Sequence, residues 1–539
     1  MPTLTIETGG PARVTVRGPD GAWHAPEDAV RDRTASDRPG VLGMDLDPTD
    51  GSAIEPGYTA HFLVDGAAEV PVPRGTCRVV VERGPEHRRV ERVVDVGTAG
   101  ARVVCAPGRR ADLAAEGWWS GDLHVHRPLT DAAAVLRAED LHLGAFVTRW
   151  NEQAPSERGT GQAGRPGAAD VCGGGGAAGG AVAPRDGAGG APRAALTVDG
   201  DRHAVAPVTE DERGGGAVLL HGVDVPDLPG TGADDWWSPP ARTLVDAARA
   251  AGAFVDAEKL TWWDAPVLVA TGAPDAVGVL NNHFVPGGML ANEAWGRPRD
   301  RAAHPGPEGA ARYQLGLWYR YLGLGLRLPA SAGSASGVLP APPGYDRVYV
   351  QAPGPLTVDG FYAGLRAGRS VVTNGPLLAL DVGDVGPGAS VPAGRHRVRA
   401  VARTAPGGAG TSAGGPAGSS ARGSTVGSVP GPVRVELVVD GRVVAASDGP
   451  VLDAVLDLRG AGWVAARARQ PDPRTIRLAH TSPVHIDGPG PDAAEHRAFF
   501  ARWVADLTAA AHAEPARFPT AARRDEVLDL YDRAARFYR

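Results

Sequence analysis

The chain of 539 residues has little cysteine, no excess of basic residues and no long apolar run, and each shortage excludes a class of protein. Its three cysteines, Cys77, Cys105 and Cys172, are too few and too scattered for a disulfide framework or a thiolate cluster. The formal net charge of −7 argues against nucleic acid as a partner, because nucleic-acid-binding proteins usually present a basic face. No stretch approaches the roughly 18 consecutive apolar residues of a membrane span.

Residues 1–7 contain neither a basic region nor an apolar core, so the sequence predicts no signal peptide. The expected location is therefore the cytoplasm, and the expected partner is a small-molecule substrate, with no nucleic acid and no membrane. The sequence leaves the oligomeric state open.

Lysine and asparagine are scarce, and both are confined to the middle of the chain. Lysine occurs once, at Lys259, and the five asparagines lie between positions 151 and 374. Arginine replaces most surface lysines, but it cannot replace a lysine that must be compact, lose a proton or form an imine. The middle segment is therefore expected to hold positions that resist a compositional bias. The alternative is drift in a biased genome combined with turn-forming asparagines.

The pattern of apolar and turn-forming residues divides the chain into β-rich, mixed and helical segments. The predicted segments are an N-terminal β-sandwich (1–108), an α/β domain (109–375) with a Gly-rich disordered insert (159–194), a C-terminal β-sandwich (376–490) with a second disordered insert (404–430), and a helical tail (491–539). Strand-like and helix-like runs alternate in the α/β domain, which predicts a parallel barrel-like or layered fold with its chemistry at the carboxyl ends of strands.

The most informative run in the α/β domain is Trp-Trp-Ser-Gly-Asp-Leu-His-Val-His at 118–126. His124 and His126 alternate along a strand-like sequence, so their imidazoles are expected on the same side. Two converging imidazoles form half of a zinc-type or manganese-type site. The alternative is a pair of partly exposed histidines on a hairpin.

Two motifs resemble the polymerase-and-histidinol-phosphatase (PHP) superfamily, in its carbaryl-hydrolase-like (CehA/McbA) branch. Gly-Asp-Leu-His-Val-His at 121–126 resembles the opening metal motif of that family, and Gly-Arg-Ser-Val-Val-Thr-Asn-Gly-Pro-Leu-Leu at 368–378 resembles a motif of the branch. The resemblance covers roughly residues 60 to 490. It implies a distorted seven-stranded (β/α) barrel, a cluster of metal ions, and hydrolysis of phosphoesters or of carboxyl and carbamate esters.

Other ligands of the family are missing from this chain. Thr-Arg-Trp-Asn at 148–151 stands where the family usually has Thr-Asp-His-Asn, and Gly-Ser-Ala-Ser-Gly at 333–337 stands where it has Gly-Ser-Asp-x-His. Asp224 is the nearest substitute for a bridging glutamate of the family, and Glu258-Lys259 replaces a His-Pro pair. Only His124 and His126 carry over cleanly.

Two accounts of the site follow. In the first, the site is rebuilt around one zinc or manganese ion, since three protein ligands and a water suffice for a catalytic metal. The predicted metal ligands are His124, His126, His283 and Asp224, and the predicted catalytic residues are Glu258, Lys259, Arg149 and Asp256. In the second account no metal is bound. Arg149 and Lys259 replace the metals, and the protein binds a sugar or an anionic ligand or uses Lys259 as base or nucleophile.

Tryptophans and amides near strand ends suggest where a substrate lies. Nine of the twelve tryptophans fall between 118 and 318, which favours an aromatic pocket, although core packing explains the same pattern. The predicted substrate-binding residues are Trp150, Asn151, Asn282, Trp262 and Trp263.

Overall fold

The computed structural model describes most of the chain in segments. These are residues 1–26, 31–32, 61–127, 129–150, 196–199, 202–213, 215–223, 238–290, 293, 296–338, 341–403, 433–472 and 475–539. Two predicted site residues, Asn151 and Asp224, lie outside the described residues, as do both predicted inserts, 159–194 and 404–430.

Helices and strands occur together in one chain, as the mixed α/β prediction requires. The helices are α1 (Ala132–Ala138), α2 (Ala241–Ala250), α3 (Ala265–Ala270), α4 (Gly306–Gly323), α5 (Val358–Arg366), α6 (Ala494–Ala513) and α7 (Ala521–Phe537). The strands are β1 (Thr3–Arg17), β2 (Trp23–His24), β3 (Arg31–Asp32), β4 (His61–Pro71), β5 (Gly75–Glu82), β6 (Val90–Val96), β7 (Ala101–Val104), β8 (Trp118–Val125), β9 (Leu143–Trp150), β10 (Leu196–Asp199), β11 (His203–Arg213), β12 (Gly216–His221), β13 (Phe254–Ala257), β14 (Ala276–Leu280), β15 (Phe284–Val285), β16 (Gly288–Met289), β17 (Ala330–Ala332), β18 (Arg347–Gln351), β19 (Ser370–Thr373), β20 (Leu377–Val382), β21 (Ser390–Pro392), β22 (Arg395–Arg403), β23 (Arg434–Val439), β24 (Arg442–Ser447), β25 (Val451–Asp457), β26 (Trp463–Gln470), β27 (Arg477–Thr481) and β28 (Val484–Asp487).

The N-terminal strands form one hydrogen-bonded sheet around a single apolar core. Its order is β3-β4-β1-β5-β6, with β2 and β7 also paired to β1. The long strand β1 buries alternate residues, among them Leu4, Ile6, Val14 and Val16. Its pairing with β4 shifts register between Glu7 and Pro11, so β1 bends where its two halves join different neighbours.

A large sheet carries the α/β part of the chain, in the order β17-β14-β13-β12-β11-β9-β8-β18-β19. The pairs β8–β9, β9–β11, β13–β14 and β14–β17 are parallel, whereas β11–β12 and β12–β13 are antiparallel. Only residues 214–215 separate β11 from β12, which is too short for a crossover helix and forces a hairpin. The described residues form no closed sheet, so the predicted barrel is not confirmed.

Helices cover both faces of this sheet. Val245 and Ala248 of α2, with Leu268 of α3, pack against Val218 and Val255 of the sheet. Helices α4, α6 and α7 contribute to the main core on the other side. None of the helices in the described part of the chain is both long and apolar enough to cross a bilayer.

The helical tail packs largely as its apolar pattern predicts, with one correction. The apolar pattern predicts two buried helix faces, made of Phe500, Trp503, Val504 and Leu507 on α6 and of Val527, Leu530, Tyr531, Ala534 and Phe537 on α7. All of these residues are buried except Phe537, whose exposed fraction is 43%. The neighbouring Tyr538 is buried instead, and its hydroxyl donates a hydrogen bond to the carbonyl of Pro266 at 2.7 Å. Helix α7 ends at Phe537, so the helical period no longer applies to the residue after it.

The C-terminal strands form two layers. Strands β20, β22 and β25 make a three-stranded sheet, and β23, β26 and β27 continue the large sheet. One apolar cluster lies between the layers and includes Leu380, Val398, Leu437 and Val464. Because β19 pairs with β27, the large sheet continues from the α/β part into this C-terminal part.

Candidate metal centre

Two buried side chains and one half-buried side chain, near the carboxyl ends of β8 and β11, bring their donor atoms together. They are His124, His126 and Glu210, and one potential ligand atom of each lies within 4.8 Å of the other two. The Nε2 atoms of the two imidazoles are 2.9 Å apart. Glu210 Oε2 lies 3.2 Å from His124 Nε2 and 3.1 Å from His126 Nε2. The prediction that the two imidazoles face the same side is therefore confirmed.

The carboxylate of Asp122 holds the strand end that carries the two histidines. It accepts hydrogen bonds from the backbone amides of His124 (3.1 Å), Ser334 (3.0 Å) and Gly344 (2.6 Å), and from the hydroxyl of Ser334 (2.5 Å). Asp122 is fully buried, so these four bonds satisfy a group that would otherwise be costly to bury. One carboxylate thus fixes His124 to the segments that follow β17 and precede β18.

The segment after β17 also packs tightly against the two histidines. Val125 and Ser336 form an isolated parallel bridge, and the amide of His126 donates to the carbonyl of Ser336 at 2.8 Å. A Cβ atom at Gly333 would lie 2.5 Å from the Cβ of His124, so only glycine fits there without a shift. The backbone around the imidazoles is therefore closely constrained.

The chemistry of the three donors fits a divalent metal ion. Glu210 Oε2 is buried and makes no hydrogen bond of acceptable geometry, although two imidazole nitrogens lie within 3.2 Å of it. A buried carboxylate oxygen that lies this close to two imidazole nitrogens without accepting a hydrogen bond is expected where the three atoms face a common ligand. Two histidines and one carboxylate are also a frequent protein ligand set of catalytic zinc.

Glu258 supports His124 from the opposite edge of the imidazole ring. Its Oε1 atom lies 3.4 Å from His124 Nδ1, whereas Nε2 of the same ring faces Glu210. Lys259 Nζ lies 2.5 Å from both carboxylate oxygens of Glu258, and the indole nitrogen of Trp262 donates to Oε2 at 3.2 Å. A carboxylate behind a ligating histidine orients the ring and makes it more basic.

The buried charges shift the pKa values of the cluster in opposite directions. Burial works to lower the pKa of His124, but the carboxylates of Glu210 and Glu258 outweigh it and raise the pKa to about 10. Burial, together with the nearby charge of His124, lowers the pKa of His126. Burial opposes ionisation of Glu210, but the two imidazoles outweigh it and depress its pKa. The carboxylates of Glu210 and Glu258 therefore favour a positive charge at this position.

Asp256 lies near this cluster but does not belong to it. Its carboxylate accepts a hydrogen bond from the hydroxyl of Ser331 at 2.7 Å, across the strands β13 and β17. Burial raises its pKa to about 7, and the nearby charge of Glu258 adds to this. The structure thus places Asp256 as a buried acid beside the site rather than as a ligand of the three-residue cluster.

His283 and Asn282 were predicted as a ligand and a substrate-binding residue, and both are buried in the turn after β14. The amide of His283 donates to Asn281 Oδ1 at 3.1 Å, and Asn281 Nδ2 donates to Gln314 Oε1 at 3.0 Å. These bonds hold the turn against α4. The three-residue cluster itself is formed by other side chains, His124, His126 and Glu210.

The strand register separates Arg149 from the metal cluster. In the pairing of β9 with β11, Arg149 lies opposite Thr209 and Trp150 lies opposite Glu210. Because side chains alternate along a strand, Arg149 shares the face of Thr209 and not that of Glu210. The predicted catalytic role of Arg149 therefore finds no support from this register.

Trp262 and Trp263 pack with apolar residues, as the alternative of core packing predicts. Trp262 is 2% exposed, and its ring lies 4.8 Å from Lys259 Nζ. The carbonyl of Trp263 accepts a hydrogen bond from the indole of Trp503 at 3.0 Å, which links it to α6. Trp262 thus contributes to the site through Glu258 and Lys259.

Glu210 is the site residue that the sequence reasoning missed. The resemblance indicates Asp224, further along the chain, as the acidic metal ligand. A signal was present in β11, where Ala204, Ala206, Val208 and Glu210 alternate and all four are buried. An acid that continues a buried apolar face needs a partner, which makes it a candidate ligand.

Comparison with protein-family models, with curated proteins and with solved structures finds no match to this chain. The resemblance to the PHP superfamily remains a prediction from its motifs.

Proposed function

We propose that this protein is a metal-dependent hydrolase whose site holds one divalent ion. The observation that carries the proposal is the convergence of His124 Nε2, His126 Nε2 and Glu210 Oε2 within 4.8 Å in a buried setting. Three protein ligands leave one position of a tetrahedral zinc ion open to water or substrate. Zinc is the metal that best suits this ligand set, and manganese is the alternative.

A bound zinc ion supplies Lewis acidity and lowers the pKa of water to about 7, which provides a nucleophile at neutral pH. The residues of the chain supply orientation and charge. Glu258 Oε1 lies 3.4 Å from Nδ1 of His124, at the opposite edge of the ring from Nε2, which faces Glu210 and His126. Lys259 and Trp262 satisfy the remaining oxygen positions of Glu258.

Esters and phosphoesters are the proposed substrates, because hydrolysis of these bonds is what the resemblance implies. The proposed fold of the catalytic part is a distorted barrel of the PHP type. The bridge between Val125 and Ser336 supports this proposal, since it joins the strand that carries the histidines to the segment after β17.

Metal content tests the proposal most directly. The full chain is purified without a metal-affinity column, reconstituted with zinc or manganese, and measured by elemental mass spectrometry. We expect about one ion per chain in the wild type, and its loss in His124→Ala and in Glu210→Gln. His512→Ala is the matched control, because this histidine is exposed on α6. A metal content that survives both site substitutions would contradict the proposed ligand set.

Activity is measured separately with a panel of aryl carboxylic esters and aryl phosphate esters. We expect turnover of at least one class by the loaded protein, and its loss in His124→Ala but not in His512→Ala. Metal binding without turnover on a broad panel would retain the metal site and reject the hydrolase.

A binding protein without a metal is the second candidate function. The buried pair of Glu258 and Lys259 favours it, because it places a cation permanently next to the carboxylate that supports His124. Lys259 lies on the Nδ1 side of His124, however, and not among the three converging donor atoms. Failure to bind any metal after reconstitution would favour the binding protein.

A further inference from the structure

A cavity of about 480 Å³ lies outside the metal centre and is lined mainly by basic side chains. Four arginines contribute to its wall: Arg83, Arg109, Arg137 and Arg202. They come from separate parts of the chain, namely the end of β5, the segment before β8, helix α1 and the residue before β11. The fold therefore assembles this basic cavity from positions that are distant in sequence.

The cavity lies at the amino ends of the central strands, opposite the metal centre. His203 begins β11 and lines the cavity, whereas Glu210 lies seven residues further along the same strand. At about 3.3 Å per residue, this separation is about 23 Å. The basic cavity and the candidate metal centre are thus two distinct sites.

Positive charge exceeds negative charge in the cavity wall. Asp65 and Asp112 are the lining carboxylates, against four guanidinium groups. Beneath the wall, Asp140 lies 2.7 Å from Arg109 and also accepts from His87 at 3.1 Å. The net charge of the lining therefore remains positive.

Negative charge compensates Arg83 only weakly. Its nearest ion-pair contact is Asp140 at 3.9 Å, and its Nε atom is buried without a hydrogen-bond acceptor among the described residues. Burial lowers the pKa of Arg83, and the nearby charges of Arg109 and Arg202 lower it further. A buried donor without an acceptor is costly, and an anion in the cavity would relieve both this cost and the repulsion.

We propose that this cavity binds a compact oxyanion of the phosphate class, carried by a small molecule or free in solution. Guanidinium groups bind phosphate through paired, charge-assisted hydrogen bonds, and several of them around one cavity provide the required donors. The volume suits a ligand of small-molecule size. Arg83 and Arg202 are the proposed main contacts.

Calorimetric titration of the full chain with inorganic phosphate, at constant ionic strength, tests the proposal. Arg202 is exposed, so Arg202→Gln leaves the fold intact. We expect this variant to bind phosphate with a dissociation constant about tenfold higher than that of the wild type. Arg83→Lys retains the charge but removes Nε and is expected to weaken binding also. Arg459→Gln is the matched control, because Arg459 is an exposed arginine paired with Asp457 elsewhere in the chain.

The same titration in His124→Ala separates the two sites. Phosphate binding that persists in His124→Ala and weakens in Arg202→Gln supports the proposed cavity site. The reverse pattern overturns the proposal. Equal binding by the wild type and Arg202→Gln overturns it as well. Glycerol 3-phosphate forms a second arm. Tighter binding of this ester than of inorganic phosphate identifies the ligand as an organic phosphate, and the opposite order identifies free phosphate.

Discussion

Glu258 shows how one buried residue connects the charge and the geometry of the candidate metal centre. Its carboxylate contacts His124, Lys259 and Trp262 at the same time. A residue in this position changes how firmly His124 holds a ligand without binding the ligand itself. Replacement of Glu258 is therefore expected to lower the affinity for the metal ion without changing the number of protein ligands.

Replacement of Glu258 by glutamine removes the negative charge behind His124. We expect zinc affinity to fall by about tenfold, because loss of such an outer carboxylate typically costs 10- to 100-fold. The measurement is competition for zinc against a chromogenic chelator. Glu526→Gln, on the exposed face of α7, is the control, and an unchanged affinity in Glu258→Gln would reject the supporting role.

The sequence was sufficient to predict the relation between His124 and His126, because alternation along a strand is a local rule. It was not sufficient to bring Glu210 to them, since that depends on how β8, β9 and β11 pair across more than 80 residues. Asp224, the acid that the resemblance indicates, lies outside the described residues.

At the scale of elements, the segment between β17 and β18 is as important as the strands that carry the ligands. Asp122 ties this segment to β8 through bonds to Ser334 and Gly344. The resemblance gave 333–337 only as a degenerate ligand motif. In the structure, its backbone instead positions the histidines.

Replacement of Asp122 by alanine should leave several buried donors without an acceptor. We expect a loss of about 3 kcal/mol in the free energy of unfolding, together with weaker metal binding, because His124 loses its backbone restraint. Urea denaturation and the zinc competition assay measure the two effects. Asp381→Ala, at an exposed position of β20, serves as control. Weak metal binding without loss of stability would indicate that Asp122 contacts the ligand directly.

The end of α7 offers a paired test of packing. Tyr538 is 1% exposed and Phe537 is 43% exposed, although the helical pattern predicts that Phe537 is buried. We expect Tyr538→Ala to lower the free energy of unfolding by about 3 to 5 kcal/mol, as for other buried aromatic residues. Phe537→Ala should cost about 1 kcal/mol or less. Equal losses in denaturation experiments would contradict this assignment.

At the scale of the whole molecule, the large sheet crosses the predicted boundary at residue 375. Strand β19 ends at Thr373, before this boundary, and pairs with β27, which belongs to the C-terminal strands. His480 of β27 also contacts Tyr319 of α4, with its Nε2 atom 2.6 Å from the tyrosine hydroxyl. Composition and turns predicted the change from α/β to β, but pairing between distant strands leaves no local trace in the sequence.

His480 provides a test of this junction through pH. Burial lowers its pKa to about 3, whereas an unfolded histidine titrates near about 6.5. Its neutral form therefore contributes stability that is complete above pH 6.5 and is lost as the pH falls below that value. At pH 5 the loss is about 2 kcal/mol.

The variant His480→Gln lacks this loss, so its stability relative to the wild type should improve by about 2 kcal/mol between pH 7.5 and pH 5. Urea denaturation at the two pH values measures the difference. Comparison with His512→Ala, which changes an exposed histidine, excludes a general effect of histidine removal. A difference independent of pH would show that His480 is accessible to protons in the native state.

The single lysine of the chain has a practical consequence. The side chain of Lys259 is 5% exposed and is held by Glu258, so an amine-reactive label can reach it only when the core around the candidate metal centre opens. Each labelled side chain then records one opening event at one known position. Peptide mapping by mass spectrometry over time would distinguish Lys259 from the α-amino group and follow the opening of this core, and slower labelling in the presence of zinc would report how much a bound ion stiffens it.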